Sequence, residues 1–524
     1  MRNPPADKPC HNCRRRRLKC DRTVPACHKC ARTGQECLGY GKLFIWTYGV
    51  ASRGKMMGRS YPMPARGPDQ GMLLPPQRGQ AVVQPPLYID TPLLDPILHS
   101  LDAHSRRYVY HFATNVAGDM VLSDSADQNP FRSLVPLCRE HPILLHAIVA
   151  NAAMHVSCLQ KHSLSGAAHG VSPYASDASS DARVDALSSK HRALGLLRRA
   201  LDDVRSTDID LIVTVIHLFI NLDLLDPGDG EWAAHAQGAL RLIGYLQALE
   251  RPYASPLAQI RDSITSDCLT FYVLGCTLMS TSTLSLSDPF HSPSPGEIIA
   301  ALTRAEATSY LSLPTPLLQI LFKACELSNL VSVGAMMSLT ETTDYATLIT
   351  RATTLLRTAQ SIDIHAWACA LEARTGPTTP NQDQNTAPSP RTQSRIHVAL
   401  AHQNAVAIYI CRSVDRIASL VPDTETLVTN VVRHLSAVGV DDPMFKGTSW
   451  PTFIAGVETD DPERREWALC RLREFWNLLP WGYLTMAVEV MVMTWRVRDM
   501  DRDGRREGNW IQVLKGLGRY PLIA

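Results

Sequence analysis

The stretch Cys10-His11-Asn12-Cys13-Arg14-Arg15-Arg16-Arg17-Leu18-Lys19-Cys20-Asp21-Arg22-Thr23-Val24-Pro25-Ala26-Cys27-His28-Lys29-Cys30-Ala31-Arg32-Thr33-Gly34-Gln35-Glu36-Cys37 decides how this chain is organised. Its six cysteines are separated by two, six, six, two and six residues, and adding 17 to Cys10, Cys13 and Cys20 gives Cys27, Cys30 and Cys37. The stretch is therefore two copies of one C-x2-C-x6-C unit. Each copy offers three thiolates, and zinc takes four ligands in a tetrahedron. Two ions are satisfied by six sulfurs only if one sulfur from each half is shared. A disulfide framework and a single four-sulfur site are the competing readings. Disulfides belong to secreted chains, and Met1-Arg2-Asn3-Pro4-Pro5 opens with no apolar signal segment. The shared two-zinc site is the expectation.

The scaffold repeats but its charge does not. Between their second and third cysteines the first half carries Arg14, Arg15, Arg16, Arg17 and Lys19, whereas the second half carries Ala31, Arg32, Thr33, Gly34, Gln35 and Glu36. Residues 1–37 hold ten Lys and Arg against three Asp and Glu, a net +7, while the 524-residue chain totals +2, leaving −5 for the rest. Positive charge concentrated on one metal-held unit is the footprint of a phosphate binder. A short helix after Cys10 places Arg16 and Arg17 near its end, where guanidinium groups address guanine O6 and N7 in a major groove. Arg14, Arg15, Lys19, Arg22 and Lys29 are expected on phosphates, which position a module without reading bases. An arginine run also serves as a nuclear-import signal.

These residues resemble the fungal zinc binuclear cluster DNA-binding domain. The resemblance implies that Cys10 and Cys27 bridge the metals, one ion taking Cys10, Cys13, Cys20 and Cys27 and the other Cys27, Cys30, Cys37 and Cys10. It implies that Pro25 occupies the loop between the halves and that Arg16 and Arg17 form the base-reading pair, at positions where many members carry lysine. It further implies two zinc ions per chain, double-stranded DNA as partner, CGG-type sites, RNA polymerase II genes and a nuclear location.

Composition bounds the remainder. Hydrophobic residues make up 45% of the chain, enough for a sizeable core. The other eight cysteines, Cys138, Cys158, Cys268, Cys276, Cys325, Cys369, Cys411 and Cys470, are scattered and read as free thiols. The most apolar stretch, Leu478–Trp495, contains Glu489 and falls short of the roughly 20 clean apolar residues a membrane span needs. It reads as a buried helix, with no membrane partner. Tyr40, Leu43, Phe44 and Trp46 are expected to pack on the coreless cluster, closing a unit of residues 1–50. Residues 51–92, rich in Pro, Gly, Arg and Gln, read as a flexible linker. No heptad survives these prolines, so a homodimer is expected only through the helical domain.

From residue 93 the pattern turns helical, with Leu93, Leu94, Ile97, Leu98, Leu101, His104, Tyr108 and Phe112 at three- and four-residue spacing. Asn129-Pro130-Phe131-Arg132 breaks the chain and Pro142 opens another helix. Further helical runs are expected near 184–204, 208–225, 231–249, 255–280, 315–340, 344–370, 393–421, 424–437, 462–478 and 480–498. Segments 163–182, 281–296 and 375–392 read as loops. The expected fold is a small zinc cluster, a linker, and an all-α regulatory domain over 93–524. This region resembles the fungal-specific regulatory domain of the acriflavine-sensitivity-control type, through Asn129-Pro130-Phe131-Arg132, the run from His141-Pro142 to Ala147, Trp232, His235, Gly238 and Ala239, and Leu479-Pro480-Trp481-Gly482-Tyr483. The resemblance implies regulation without catalysis, of a metabolic or drug-response gene set.

Other patterns carry less. Asp499-Met500-Asp501-Arg502-Asp503-Gly504 mimics a calcium loop, but its twelfth position is Trp510 instead of a bidentate Glu. His146 and His155, nine residues apart, lack zinc-pair spacing and read as core histidines. Trp232, His235 and Gly238 share a helical face explained by packing. The chain shows no G-x-S-x-G, no H-E-x-x-H, no phosphate loop and no dinucleotide fingerprint. A helical core that senses a small-molecule effector, and a protein-binding scaffold, are the alternatives to a plain DNA-binding regulator.

Overall fold

The computed structural model describes residues 8–24, 26–33, 37, 101–122, 124, 129–166, 173–203, 208–228, 231–248, 255, 257–279, 295–336, 342–375, 388–414, 423–501, 509–516 and 521–524. Expectations for Pro25, for Tyr40, Leu43, Phe44 and Trp46, for the linker, for residues 93–100 and for the loop from Arg502 onward lie outside these. The chain forms two compact units, Met1–Ile89 and Asp90–Ala524.

In the first unit two five-residue helices, α1 (His11–Arg15) and α2 (His28–Arg32), pack on each other. Their buried centre is made of Cys10, Cys13, Cys27 and Cys30, with Cys20 and Cys37 against them. No aliphatic core holds this unit together among the described residues.

The second unit is helical throughout its described residues. Its helices are α3 (Ala103–His111), α4 (Pro142–Gly166), α5 (Pro173–Asp202), α6 (Ile209–Leu225), α7 (Glu231–Ala248), α8 (Arg261–Cys276), α9 (Pro295–Ala305), α10 (Thr315–Met336), α11 (Thr342–Ser361), α12 (Ile364–Thr375), α13 (Pro390–Ser413), α14 (Thr424–Ser436), α15 (Ser449–Glu458), α16 (Pro462–Leu478), α17 (Gly482–Asp501) and α18 (Trp510–Gly516). Two of them are buried along their whole length: all of α6 and all of α15. Around α6 pack α4, α5, α7, α8 and α17; around α15 pack α13, α14, α16 and α17. One large continuous apolar core results, with a small second cluster where α12 meets α13. A helix apolar on every side has to be surrounded, and that requirement fixes the architecture. Helix α4 is long and apolar enough to cross a membrane, yet 72% of that window is buried inside the protein.

Several polar groups inside this core are paired across helices. Asp210 on α6 takes two bonds from Arg261 on α8, Nε–Oδ1 2.7 Å and Nη2–Oδ2 2.6 Å. Asn151 on α4 donates to the Leu218 carbonyl at 3.0 Å. Glu458, closing α15, accepts from Arg412 at 2.6 Å and from the Trp510 indole at 2.8 Å. The twelfth position of the calcium-like pattern is thus a core anchor.

Several expected boundaries move. The loop expected over 163–182 is helical through Gly166 and again from Pro173, where a helix begins on proline. The loop expected over 375–392 ends at Pro390, with Ser389 capping α13 through a 3.2 Å bond from Thr392 N. The run 344–370 is two helices, α11 and α12, split where Asp363 accepts from Ala366 N at 2.9 Å. Helix α13 ends at Ser413, and 415–422 lie outside the described residues. Helices α9, α15 and α18 were not anticipated. Helix α15 is buried on every side and only ten residues long, with Pro451 and Gly456 inside it, so neither a stripe nor a long apolar run exists to detect; α18 spans only seven residues.

Candidate metal centre and nucleic-acid interface

Each half of the cysteine stretch starts a helix with a thiol as its cap. Cys10 Sγ accepts from Cys13 N at 3.4 Å and Cys27 Sγ from Cys30 N at 3.3 Å. The C-x2-C spacing is therefore one helical turn that brings both sulfurs to the same end. Two sets of four sulfurs lie within 4.8 Å of one another: Cys10, Cys13, Cys20 and Cys27, and Cys10, Cys27, Cys30 and Cys37. Cys10 and Cys27 belong to both.

The distances fit the metal. A zinc–sulfur bond of about 2.3 Å gives a tetrahedron with edges of about 3.8 Å. Cys10–Cys30 and Cys13–Cys27 each measure 3.8 Å, and the shared edge Cys10–Cys27 measures 3.5 Å. An edge common to two tetrahedra is drawn in, since negative charge concentrated between two dications screens their repulsion. Protonation agrees with this. Burial pushes the Cys10 and Cys27 thiols up, Cys27 to about 12, although both accept a backbone N–H. For Cys20 burial also pulls upward, but the N–H groups of Cys10 and Arg22 together with the Cys10 and Cys27 side chains outweigh it and bring the thiol to about 7. Such a nest of sulfurs holds thiolates only around a cation, which replaces the protons.

The basic segment follows directly. Helix α1 ends with Arg17 N bonded to Arg14 O at 3.2 Å and Leu18 N to Cys13 O at 2.9 Å, the paired bonds of a left-handed terminus that usually carries glycine. Arg17 takes it instead, at φ 53°. The internal repeat assigns Gly34 to the corresponding position. The Arg14, Arg16, Arg17, Lys19 and Arg22 side chains are exposed; that of Arg15 lies outside the described residues.

Asp21 is a residue the sequence reading passed over. Its carboxylate accepts from Thr23 Oγ1, from His28 N at 2.9 Å and from Lys29 N at 3.1 Å. The Thr23 hydroxyl and these amides hold the carboxyl well below its usual range. Asp21 thereby ties the inter-half segment to the start of α2. An acid six residues ahead of a C-x2-C helix is the signal that was available. The first half has no acid at the corresponding position: its counterpart of Asp21 is Pro4.

In the helical unit, His155 is buried and bonded to His111 at 2.9 Å, facing Asp119 at 3.1 Å. His235 stacks on Phe219, ring centroids 5.3 Å apart. Trp232 lies so close to α8 that a β-carbon on Gly275 would sit 1.8 Å from its ring. These residues pack the core and bring no further metal group together among the described residues.

Comparison with known proteins adds two family matches. Residues 8–43 match the fungal Zn(2)-Cys(6) binuclear cluster domain, and residues 107–524 match the fungal specific transcription factor domain. The chain is 31% identical to the acriflavine sensitivity control protein acr-2 of Neurospora crassa over 608 aligned positions, covering 98% of this chain and 97% of that protein. No solved structure matches it.

Proposed function

The chain belongs to the fungal Zn(2)-Cys(6) transcription factor family, whose cluster binds two zinc ions and DNA, and from that premise we propose that its first unit reads CGG-type sites through Arg16 and Arg17. Cys10, Cys13, Cys20, Cys27, Cys30 and Cys37 are the ligands, with Cys10 and Cys27 shared. The observation that carries this reading is the pair of four-sulfur sets with two common members, set beside an exposed basic turn. Zinc, when bound, supplies folding free energy to a unit whose described residues form no aliphatic core, on the order of 10 kcal/mol or more in zinc-finger peptides.

The remaining roles fall to this chain's own side chains. The turn at Arg17 carries two neighbouring guanidinium groups, each able to make the paired bonds that guanine O6 and N7 accept. Arg14, Arg15, Lys19 and Arg22 neutralise phosphates around them. Residues 1–50 form the DNA-binding unit, 51–92 the linker and 93–524 the regulatory domain. The protein works in the nucleus on RNA polymerase II genes, and the name of its relative favours a drug-response or metabolic set.

In vitro selection from a random DNA pool, using the full zinc-loaded chain, tests the reading. A recovered CGG triplet supports it, and one or two triplets report whether one chain or a pair held by the helical domain is bound. A pool that returns no consensus and binds no better than a neutral surface overturns it in favour of a protein-binding scaffold.

A further inference from the structure

The core of the helical unit encloses a small cavity, about 10 Å³, room for about one water molecule. It is lined by His217, Asn221, Phe271, Tyr310, Trp481 and Ala524 among others. Sequence pieces far apart in the chain converge here. Phe131, from the Asn129–Arg132 break, stacks on His217 at 5.4 Å, and His217 stacks on Phe271 at 5.9 Å, all three rings nearly parallel. The Leu479–Tyr483 turn contributes Trp481, and Gly482 brings that turn against α6, where a β-carbon would meet the Leu225 carbonyl at 2.6 Å.

Two features distinguish this place from ordinary core. The first is polar. The indole N–H of Trp481 is buried, the residue being 5% exposed, and it has no hydrogen-bond partner among the described residues. A buried donor left unpaired costs on the order of 1–3 kcal/mol, so native cores seldom keep one without a use. The second is the occupant. Ala524 lines the cavity and belongs to the segment 521–524, which has no regular structure, although Leu522, Ile523 and Ala524 are 4%, 1% and 2% exposed. Among the described residues one hydrogen bond ties it here, from Ser449 Oγ to the Ala524 carbonyl.

We propose that residues 521–524 are an exchangeable plug in an aromatic chamber, and that the chamber takes in their place a compact, planar, mainly apolar molecule carrying one hydrogen-bond acceptor for Trp481. Withdrawal of the plug opens the wall at Ala524 and vacates the buried volumes of the Leu522 and Ile523 side chains behind it in the chain. The stacked Phe131, His217 and Phe271 rings favour a flat occupant. The acceptor repairs the polar defect that the plug leaves at Trp481. The regulatory purpose of the exchange rests on the proposed function; the exchange itself does not.

Quinoline, flat with one acceptor nitrogen, and naphthalene, its isostere without one, are the probes. Their dissociation constants are measured by titration calorimetry on the full zinc-loaded chain, on a chain lacking 521–524, and on the Ile523→Ala and Trp481→Phe variants. Quinoline is expected to bind several-fold tighter than naphthalene, the worth of about one neutral hydrogen bond, and Trp481→Phe to erase that difference. Removing the plug is expected to tighten both probes by about tenfold or more, since a site open a tenth of the time binds tenfold more weakly. Ile523→Ala gives the same direction should the shortened chain not fold. Variants that melt cooperatively yet bind neither probe, or bind no tighter than the intact chain, overturn the proposal. So does a quinoline preference that survives Trp481→Phe. DNA selection on the same samples reports on the first unit separately, so failure of one reading does not masquerade as failure of the other.

Discussion

Arg17 occupies a backbone conformation that costs a side-chain-bearing residue about 1–2 kcal/mol relative to its ordinary regions, at a turn where the chain's own repeat uses Gly34. Strain of this kind, in a residue with an exposed guanidinium, points to the side chain as the reason for its presence. Arg17→Gly should therefore raise the cluster's resistance to chelator, by up to about 1 kcal/mol, while lowering DNA discrimination. Arg17→Ala keeps the strain and loses the contact, costing about 1–3 kcal/mol on the preferred site and little on random DNA. Arg14→Ala should weaken all duplexes alike and reduce the salt slope by about one. Binding isotherms on specific and random duplexes at several salt concentrations separate these outcomes. If Arg17→Gly and Arg14→Ala shift both duplexes equally, base reading does not reside at Arg17. At this scale much was legible from sequence. Cysteine spacing records which sulfurs one helical turn brings together, so the six positions stand out. The conformation of Arg17 was legible only through its repeat partner. Asp21 was passed over because a cap on a five-residue helix has no periodicity to announce it.

Among elements, contact between α7 and α8 is set by an indole lying on a glycine. Gly275→Ala places a methyl group inside the Trp232 ring, and overpacking of this sort costs typically 1–3 kcal/mol or more. Adding Trp232→Phe should recover part of that loss; equal melting temperatures for Gly275→Ala and the parent would contradict the packing. A second prediction concerns α13 and the turn at Pro443–Thr448. His402, fully buried against Trp450, bonds the Gly447 carbonyl at 2.8 Å, and burial holds its pKa down at about 4. An unfolded histidine titrates near 6.5. Between those values the unfolded chain takes up a proton that the folded chain refuses, so stability present above pH 6.5 is lost as pH falls toward 4. From pH 7 to 5 this amounts to about 2 kcal/mol. Asp267, which burial holds up at about 7, works in the opposite direction over the same range, so the test is a difference. His402→Gln should lose about 2 kcal/mol less than the parent between pH 7 and 5, measured by urea unfolding. An identical loss in both would remove His402 from the account. Helices with a polar face were readable from the chain, as at α14, whereas α15 was not. Fully buried α6 was still readable because its apolar run is 17 residues long, whereas α15, ten residues that include Pro451 and Gly456, offers neither a long run nor a boundary between core and solvent.

For the molecule as a whole, two units with different sources of cohesion should come apart under different insults. One is held by sulfur and metal, the other by a continuous apolar core. A strong zinc chelator should abolish DNA binding and leave the far-ultraviolet helical signal nearly intact, because α1 and α2 contribute ten helical residues in all. A large loss of that signal on chelation would mean that the helical unit also depends on metal. The sulfur edge between Cys10 and Cys27 carries one more consequence. Two ions that lean on the same pair of atoms cannot be fitted or withdrawn singly without leaving the neighbour with a torn coordination sphere. Titrated with a single equivalent of zinc, the population should divide into fully charged and empty molecules, with native mass spectrometry finding few that carry just one. Cells short of the metal would then contain fewer working copies of the regulator, not many half-competent ones.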